Sequence, residues 1–444
     1  MNTTPNLDSS PHSQVDSDTG SGSSLRQVVG SATAGTFVEY YDFAIYGAMA
    51  PIIAKTFFPN VAPAIALLST FAVFALAFVA RPLGGLVWGP VGDRIGRRRT
   101  LSLIIVTISV ATVLIGLTPD YRTIGIAAPI LLVVLRLAQG LSAGGEIAGA
   151  AIFIAEHAPN KRRGFLVSWL QVATTGALLS GVFVSAAVSS LLSEQEMNSW
   201  GWRIPFLLAG PIGVVGLYIR LKVDETPSFE EVKRKGREAR NPLVTAMRGA
   251  GNLKEMGFAA AYYMPVLVSF YLLLTFMPTY LKSEMKFDTA TSLSIIAVAG
   301  VIQLISVPIF GKLSDLIGRR MLLRFTTGAF ILLTYPAFVL LNSGELALAI
   351  GGLTLLAIPT AAAQANNLTP ALERFHTNVR FTASAATLGL LAALFGGTAP
   401  YVSTYLTTAT GSPLAPGFYL MITILPSLIA SFYVSETAKK PLLD

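Results

Sequence analysis

The sequence predicts an all-α membrane protein with twelve transmembrane helices arranged as two six-helix pseudo-symmetric repeats. Three observations predict this fold class. Hydrophobic residues make up 53% of the chain and charged residues only 13%, whereas a soluble domain carries about 25% charged residues. Twelve apolar stretches are long enough to cross the hydrocarbon core of a bilayer, which is about 30 Å thick. One glycine- and arginine-rich motif occurs twice, about half the chain apart.

Each apolar stretch is predicted to form a helix, because backbone N–H and C=O groups in lipid need partners within their own segment. The glycines and prolines inside these stretches are compatible with helices, since both are more frequent in membrane helices than in soluble ones. In chain order, predicted helices 1 to 12 cover residues 28–54, 63–89, 100–118, 124–154, 165–192, 203–221, 256–281, 291–311, 321–341, 345–369, 381–407 and 414–434.

The segments outside and between the repeats are polar. Residues 1–24 contain three Asp and no Lys or Arg, and this composition predicts a disordered cytoplasmic tail rather than a secretion signal. The longest and most charged loop, 222–254, is interpreted as a solvated cytoplasmic linker. The predicted six-helix bundles are therefore 25–221 and 255–436, and a cytoplasmic tail follows at 437–444.

The distribution of basic residues predicts the orientation in the membrane. Most of the 32 Lys and Arg lie in loops on the side that would hold the N-terminus, while the opposite loops carry only Lys55, Arg122, Lys282 and Lys286. Because basic loops stay in the cytoplasm, both termini are predicted to be cytoplasmic, as in a multi-pass protein of a bacterial inner membrane. We expect a monomer, since the helices of one chain suffice for a packed bundle.

The same composition excludes several function classes. The chain has no Cys and only three His, so a disulfide, a thiol nucleophile and a metal centre are not expected. The net charge of +8 lies in short loops and builds no basic domain for nucleic acid. The sequence has no G-x-x-x-x-G-K-[ST] loop for ATP and no recognisable nucleophile–base pair. We therefore expect neither an enzyme nor a cofactor.

The repeated motif follows predicted helices 2 and 8. An Asp at a helix end beside Arg can form charge-assisted hydrogen bonds to the next helix, and glycine allows helices to approach closely. We interpret the motif as a conformational gate, because an anchor with turn residues would not require two symmetric copies. Two copies also imply parallel repeats with a substrate site between them. The gate residues are Gly89, Asp93, Gly96, Arg97 and Arg98 in the first copy and Asp315, Gly318, Arg319 and Arg320 in the second.

The repeated loop resembles the signature loop of the major facilitator superfamily. Within it, the chain resembles the metabolite:proton symporters, which include 2-oxoglutarate, citrate, shikimate and proline/glycine betaine carriers. The resemblance covers about residues 26–440 and implies the major facilitator fold and secondary active transport. The matching segments are Glu39–Phe43, Arg81–Gly85, Arg136–Glu146, Trp200–Phe206 and Tyr271–Tyr280.

Ionisable residues inside membrane helices are costly and therefore indicate function. Glu39 and Asp42 share one face of predicted helix 1, where two carboxylates cannot both ionise cheaply. A proton-coupling site needs this property, and a structural ion pair is the alternative. Sugar and phosphate carriers of the superfamily couple an acid on helix 1 to an Arg on helix 4. This resemblance implies that Asp42 accepts the proton and that Arg136 is its partner. Glu146, deeper in predicted helix 4, is assigned to coupling at another level.

Arg81 in predicted helix 2 is the candidate anchor for a substrate carboxylate, because a guanidinium holds a carboxylate through two parallel hydrogen bonds. The alternative is a structural Arg that binds backbone beside Pro82. The other substrate-site candidates are polar side chains inside predicted helices, for which interhelical hydrogen bonding is the alternative. They are Tyr41, Tyr46, Gln139, Gln171, Tyr271, Gln364, Asn366 and Asn367.

These residues predict proton-coupled uptake of a small organic acid such as 2-oxoglutarate or citrate. The arginines, the amide cluster and the resemblance of Gly396–Pro400 to the citrate and 2-oxoglutarate carriers favour this substrate. One alternative is proton symport of a zwitterion such as proline or glycine betaine, whose cation would face the acids of helix 1 between Tyr40 and Tyr41. A second alternative is a non-transporting sensor with a carrier fold.

Overall fold

The structure, a computed structural model, describes residues 24–225, 250–287 and 289–443. The predicted N-terminal tail, apart from its last residue, and residues 226–249 of the predicted linker lie outside the described residues. All regular secondary structure within the described ranges is helical. The proposed division into bundles 25–221 and 255–436 stays a prediction.

The first repeat contains six long helices. The hydroxyl of Ser24 begins the first of them by accepting from the backbone N–H of Gln27, whose side chain accepts from the Ser24 N–H in return. The helices are α1 (Leu25–Phe57), α2 (Pro63–Ile95), α3 (Arg97–Leu117), α4 (Ala127–His157), α5 (Arg163–Leu191) and α6 (Arg203–Leu221).

The second repeat also contains six, and two of them include a π-helical turn. Helix α7 consists of Ala250–Tyr271, the π turn Leu272–Phe276 and Met277–Ser283. Helix α11 consists of Arg380–Leu391, the π turn Ala392–Gly396 and Ala399–Thr410. The other four are α8 (Thr289–Ile317), α9 (Arg319–Leu341), α10 (Leu346–Ala365, followed by the short helix Leu368–Leu372) and α12 (Ala415–Ala430).

Ten of these helices are long and apolar enough to cross a membrane. The two others, α1 and α12, fall short in hydropathy and in length respectively. Helix α1 has 33 residues, but Glu39 and Asp42 reduce its mean hydropathy. Helix α12 has 16 residues and is therefore about 24 Å long, somewhat shorter than the bilayer core. Each predicted apolar stretch thus corresponds to one long helix.

The two copies of the repeated motif form the same backbone turn. Gly96 joins α2 to α3 with φ 99° and ψ 161°, and Gly318 joins α8 to α9 with φ 100° and ψ 157°. This region of backbone space is open to glycine and strained for other residues. The motif therefore needs its glycine at the point where the chain changes direction between two helices.

A glutamate caps the helix that follows each turn. Glu225 accepts from the backbone N–H of Arg97 at 3.0 Å, and Glu436 accepts from that of Arg319 at 3.0 Å. Burial by itself raises the pKa of Glu436, but four backbone N–H donors lower it below its ordinary value. The ionised carboxylate complements the positive end of α9. The sequence analysis missed both caps, although each Glu precedes a Thr at the end of its repeat.

Two pairs of helices join the repeats at the end of the bundle that holds both motifs. Helix α2 packs against α11, and α5 packs against α8. A Cβ atom on Gly89 would lie 2.7 Å from Cα of Thr382, and one on Gly311 would lie 3.1 Å from the carbonyl oxygen of Gly164. Glycine at these two motif positions therefore lets the repeats meet backbone to backbone, and this end of the bundle is closed.

Replacing Gly318 by Ala is expected to destabilise the protein by roughly 1–3 kcal/mol, because alanine is strained at this φ and ψ. The new Cβ would also collide with the carboxylate of Glu436. The measurement is the temperature at which the purified protein in detergent loses its monodisperse gel-filtration peak. The control is Gly328→Ala in α9, where a Cβ meets nothing within 4 Å. Equal temperatures for both variants would contradict the assignment of strain.

Candidate functional site

Asp42 and Arg136 form the buried ion pair that the sequence analysis predicted. Nη1 of Arg136 lies 2.6 Å from Oδ2 of Asp42. Oδ1 of Asp42 accepts from the Gln139 amide at 2.9 Å and from the Thr112 hydroxyl at 3.1 Å. The guanidinium also stacks over the ring of Tyr46, with Cζ 3.7 Å from the ring centroid. Both oxygens of Asp42 are therefore occupied by protein donors. Gln139 and Tyr46, predicted as substrate ligands, support this pair instead.

Glu39 does not share a site with Asp42, because each carboxylate has an arginine of its own. Oε1 of Glu39 lies 2.9 Å from Nη2 of Arg81. The guanidinium of Arg81 lies beside the stacked rings of Phe43 and Phe78, with Cζ 4.8 Å and 4.5 Å from their centroids. Arg81 was expected to anchor a substrate carboxylate, and the structure shows that a carboxylate of the protein already pairs with it.

Glu146 pairs with a third arginine. Its Oε1 is 3.5 Å from Nη2 of Arg220 in α6, and Arg220 also donates to the carbonyl oxygen of Ser31 at 2.6 Å. This arrangement joins α1, α4 and α6 within the first repeat. The sequence analysis assigned Glu146 to coupling at another level of the bundle, and its partner here is an arginine that the sequence analysis did not consider.

A small cavity lies between the repeats beside Arg81. The first π turn follows Tyr271 directly and the second begins at Ala392, and both residues line the cavity. Such π turns often occur at functional sites. The polar or aromatic lining residues are Tyr40, Arg81, Gln171, Thr174, Phe270, Tyr271 and Asn367.

Three of the predicted substrate-site residues therefore line this cavity together with Arg81. Tyr271 faces the guanidinium of Arg81. The amide of Gln171 in α5 donates to the Asn367 oxygen at 3.4 Å, and Asn367 begins the short helix after α10. These contacts bring residues from both repeats to one place, as expected for a site between them.

Three other predicted ligands make structural contacts elsewhere. Tyr41 donates to the carbonyl oxygen of Pro205 at 3.0 Å and joins α1 to α6. Gln364 donates to the Thr175 hydroxyl at 3.4 Å. The amide of Asn366 donates to the carbonyl oxygen of Arg319 at 2.9 Å. The interhelical alternative therefore describes these three residues better than substrate binding.

The predicted gate residue Asp93 connects the repeats at the closed end of the bundle. Its Oδ2 accepts from the backbone N–H of Thr382 at 3.1 Å and from its hydroxyl at 2.8 Å, within the first turn of α11. Its Oδ1 lies 3.2 Å from Arg97. A carboxylate at a helix N-terminus interacts favourably with the exposed N–H groups and the helix dipole.

Asp315 repeats this arrangement from the other side. Its two oxygens accept from the backbone N–H groups of Gly164 at 2.9 Å and Phe165 at 2.8 Å, in the first turn of α5. It also lies 2.8 Å from Arg319. Each copy of the motif thus binds the start of a helix in the opposite repeat. Arg98 and Arg320 differ, since each donates to a carbonyl oxygen at the end of its own repeat.

Two glutamates that the sequence analysis missed form further ion pairs beside the predicted gate residues. Glu156, at the end of α4, lies 2.7 Å from Arg380. Glu373 lies 2.8 Å from Arg163. Each pair joins one repeat to the other. A signal was present in the sequence, because an Arg follows each Glu seven positions later, at Arg163 and Arg380. In the structure, however, neither Glu binds the Arg that follows it in its own repeat. Each binds the corresponding Arg of the other repeat.

The C-terminal segment also contacts the gate. The carbonyl oxygen of Leu443 accepts from the backbone N–H of Thr377 at 3.2 Å and from Arg380 at 2.6 Å. The Thr437 hydroxyl donates to Glu373 at 2.6 Å. The stretch that was predicted as a cytoplasmic tail, 437–444, therefore contacts the residues around both motifs through Thr437 and Leu443.

Comparison with known proteins identifies relatives along nearly the whole chain. A family model described as Major Facilitator Superfamily matches residues 32–398. The proline/betaine transporter of Escherichia coli (strain K12) is 36% identical over 432 residues, which cover 94% of this chain and 85% of that protein. The glycine betaine/proline/ectoine/pipecolic acid transporter OusA of Dickeya dadantii (strain 3937) is 35% identical over 428 residues, with the same coverage of 94% and 85%.

Solved structures show the same fold at low sequence identity. The proton:xylose symporter XylE of E. coli, bound to 6-bromo-6-deoxy-D-glucose, has a TM-score of 0.79 at 18% identity and covers 94% of this chain and 97% of its own. A human organic anion transporter has a TM-score of 0.68 at 15% identity, with coverage of 92% and 100%. The predicted family and the predicted fold class are confirmed.

Replacing Asp315 by Asn is expected to open the closed end of the bundle more often. The neutral amide loses a charge-assisted interaction, typically about 1.5–3 kcal/mol, which corresponds to a change of about tenfold or more in an equilibrium. Because the chain has no cysteine, the measurement is the rate at which a water-soluble maleimide labels Ser168→Cys. Ser168 is buried beside Gly311 of α8.

The control for this measurement is Asp120→Asn, a residue that caps the short helix Tyr121–Ile124 outside the gate. Asparagine also caps helices well, so the labelling rate should stay at its original value in this variant. A gate role for Asp315 is contradicted if Asp315→Asn leaves the rate unchanged as well.

Proposed function

Because the chain belongs to the major facilitator superfamily and is a membrane transporter, we propose that it is a proton-coupled symporter for a small zwitterionic osmolyte such as proline or glycine betaine. Its similarity to curated proline/betaine transporters supports this substrate class over the organic acid that the sequence analysis favoured. The single observation that carries the proposal within the molecule is the neutralisation of Arg81 by Glu39 at the cavity.

The charge balance of the cavity explains this choice. An organic acid with two or three carboxylates needs an excess of positive charge where it binds, because a buried anion without compensation is strongly unfavourable. Among the described residues that line the cavity, Arg81 is the one charged side chain, and Glu39 compensates its charge at 2.9 Å. A zwitterion brings no net charge and therefore suits a site that is already neutral.

The proposed proton site is Asp42. Its ion pair with Arg136 is buried, and both side chains are 1% exposed or less. A proton on Asp42 removes the charge that holds Arg136, so the two protonation states favour different arrangements of α1 and α4. A difference in proton affinity between two conformations is what shifts their equilibrium. The proposed gate between the repeats is a second part of the protein that would change between an open and a closed arrangement.

The proposed localisation is a bacterial inner membrane with both termini in the cytoplasm, so that the closed gate faces the cytoplasm. The distribution of basic loops supports this orientation. We propose a monomer as the working unit. Uptake of substrate and protons from outside would then be favoured by the membrane potential, by about 2.3 kcal/mol per charge per 100 mV.

The proposal is tested by uptake into proteoliposomes with an imposed inward proton gradient. The panel contains proline, glycine betaine, 2-oxoglutarate, citrate, succinate and shikimate, each with and without a protonophore. We expect accumulation of proline or glycine betaine that collapses with the protonophore. Accumulation of an organic acid alone would restore the first prediction. No transport of any compound would favour the sensor with a carrier fold.

Asp42→Asn is expected to abolish accumulation driven by the proton gradient, because the amide cannot take up the proton. Exchange of labelled for unlabelled substrate needs no net proton movement and should continue in this variant. Measuring both reactions in the same liposomes separates lost coupling from lost binding. Asp120→Asn is again the control. Gradient-driven accumulation by Asp42→Asn at the original level would exclude Asp42 as the proton site.

A further inference from the structure

The ion pair between Glu39 and Arg81 is incomplete, although it is almost fully buried. Their side chains are 2% and 7% exposed, and one contact of 2.9 Å joins Oε1 to Nη2. Within the described part of the chain, Oε2 of Glu39 and Nε of Arg81 have no hydrogen-bond partner. Buried polar atoms are nearly always paired in folded proteins. This pair therefore retains one acceptor and one donor for a further ligand.

The neighbouring pair of Asp42 and Arg136 differs on the acid side. Both oxygens of Asp42 accept hydrogen bonds, from Arg136, Gln139 and Thr112. Of these two pairs, the one at the cavity leaves a carboxylate oxygen without a hydrogen-bond partner. Oε2 of Glu146 also has none, but Glu146 does not line the cavity. Because Arg81 itself lines the cavity, a ligand there can reach the guanidinium directly and the carboxylate behind it after a small shift of the arginine.

The surroundings of Arg81 already accommodate a cation. Its guanidinium contacts the rings of both Phe43 and Phe78, and the hydroxyls of Tyr40 and Tyr271 also interact with it. Aromatic faces attract a cation through the negative charge density of the ring. If the arginine shifts, the rings and the Glu39 carboxylate remain as a place for the positive group of a substrate.

We propose that the Glu39–Arg81 pair selects zwitterions by exchanging partners with them. The substrate carboxylate binds Arg81, and the positive nitrogen of the substrate binds Glu39 among the aromatic rings. A nitrogen with N–H groups donates to Oε2, and a quaternary nitrogen acts through its charge. One ion pair within the protein becomes two between protein and substrate, with no change in net charge. This inference rests on the proposed function and assigns its specificity to two residues.

The same exchange rejects compounds with only one charge. A simple carboxylate that takes Arg81 leaves Glu39 buried without a partner, and a simple cation that takes Glu39 leaves Arg81 without one. An uncompensated buried charge is much more costly than a paired one. The pair therefore rejects both simple anions and simple cations. A lone arginine would accept anions, and a lone glutamate would accept cations.

The test compares glycine betaine with 3,3-dimethylbutyrate, which has the same shape but a neutral carbon in place of the nitrogen. Binding of each is measured by titration calorimetry on the purified full-length protein. The unaltered protein should bind glycine betaine and not 3,3-dimethylbutyrate. In Glu39→Gln, Arg81 keeps its charge without compensation. We expect glycine betaine to bind at least about tenfold more weakly and 3,3-dimethylbutyrate to bind more tightly, so the preference reverses.

The control is Glu255→Gln, which makes the same replacement in another glutamate–arginine pair. Glu255 lies 2.8 Å from Arg374, and its side chain is 32% exposed outside the cavity. The preference for glycine betaine should remain in this variant. Arg81→Gln gives the reciprocal test and replaces Glu39→Gln if that variant does not fold. It leaves Glu39 uncompensated, so binding of choline should strengthen while binding of glycine betaine weakens.

Each outcome has a distinct meaning. Reversed preference in Glu39→Gln, or the reciprocal gain of choline binding in Arg81→Gln, supports partner exchange. If Glu39→Gln keeps the original preference, or loses glycine betaine without gaining the carboxylate, the pair is structural and the inference is overturned while the proposed function stands. If the unaltered protein binds neither proline nor glycine betaine, the proposed function is overturned and the inference with it.

Discussion

A carboxylate among apolar helices loses the water that stabilises its charge, and a guanidinium at hydrogen-bonding distance compensates for that loss. This constraint determines how the first repeat is assembled. Asp42 and Glu39 on α1 bind arginines on α4 and α2, and Glu146 on α4 binds Arg220 on α6. Ion pairs therefore fix which helices pack together, whereas contacts between apolar side chains alone would not specify a partner.

The same constraint makes the contact between repeats reversible. Glu156 and Glu373 bind arginines of the opposite repeat, and Asp93 and Asp315 bind the starts of helices there. When the repeats separate, water replaces each partner, so the charges lose less than they would in an apolar interior. An interface built from ion pairs and helix ends can thus close tightly and still open, which apolar packing between the repeats would permit less readily.

Charge balance also connects the fold to the choice of substrate. A cavity with an uncompensated arginine would suit an anion, and the sequence analysis favoured an organic acid partly because it assigned Arg81 to a substrate carboxylate. The pairing of Arg81 with Glu39 makes the site neutral. The similarity to proline/betaine transporters and this neutral pair both support the proposed zwitterionic substrate.

The sequence by itself determined the helices, because a long apolar segment in lipid must satisfy its own backbone hydrogen bonds and therefore forms a helix. It also determined the repeat and the family resemblance, because the repeated motif can be recognised without coordinates. It also indicated Asp42 with Arg136. Only the tertiary structure decided that Glu39 binds Arg81, that Glu146 binds Arg220, and that Asn366 supports the gate and not the cavity. The physical reason is that the rotation and depth of each helix are set by packing against its neighbours, and no local pattern in the sequence records them.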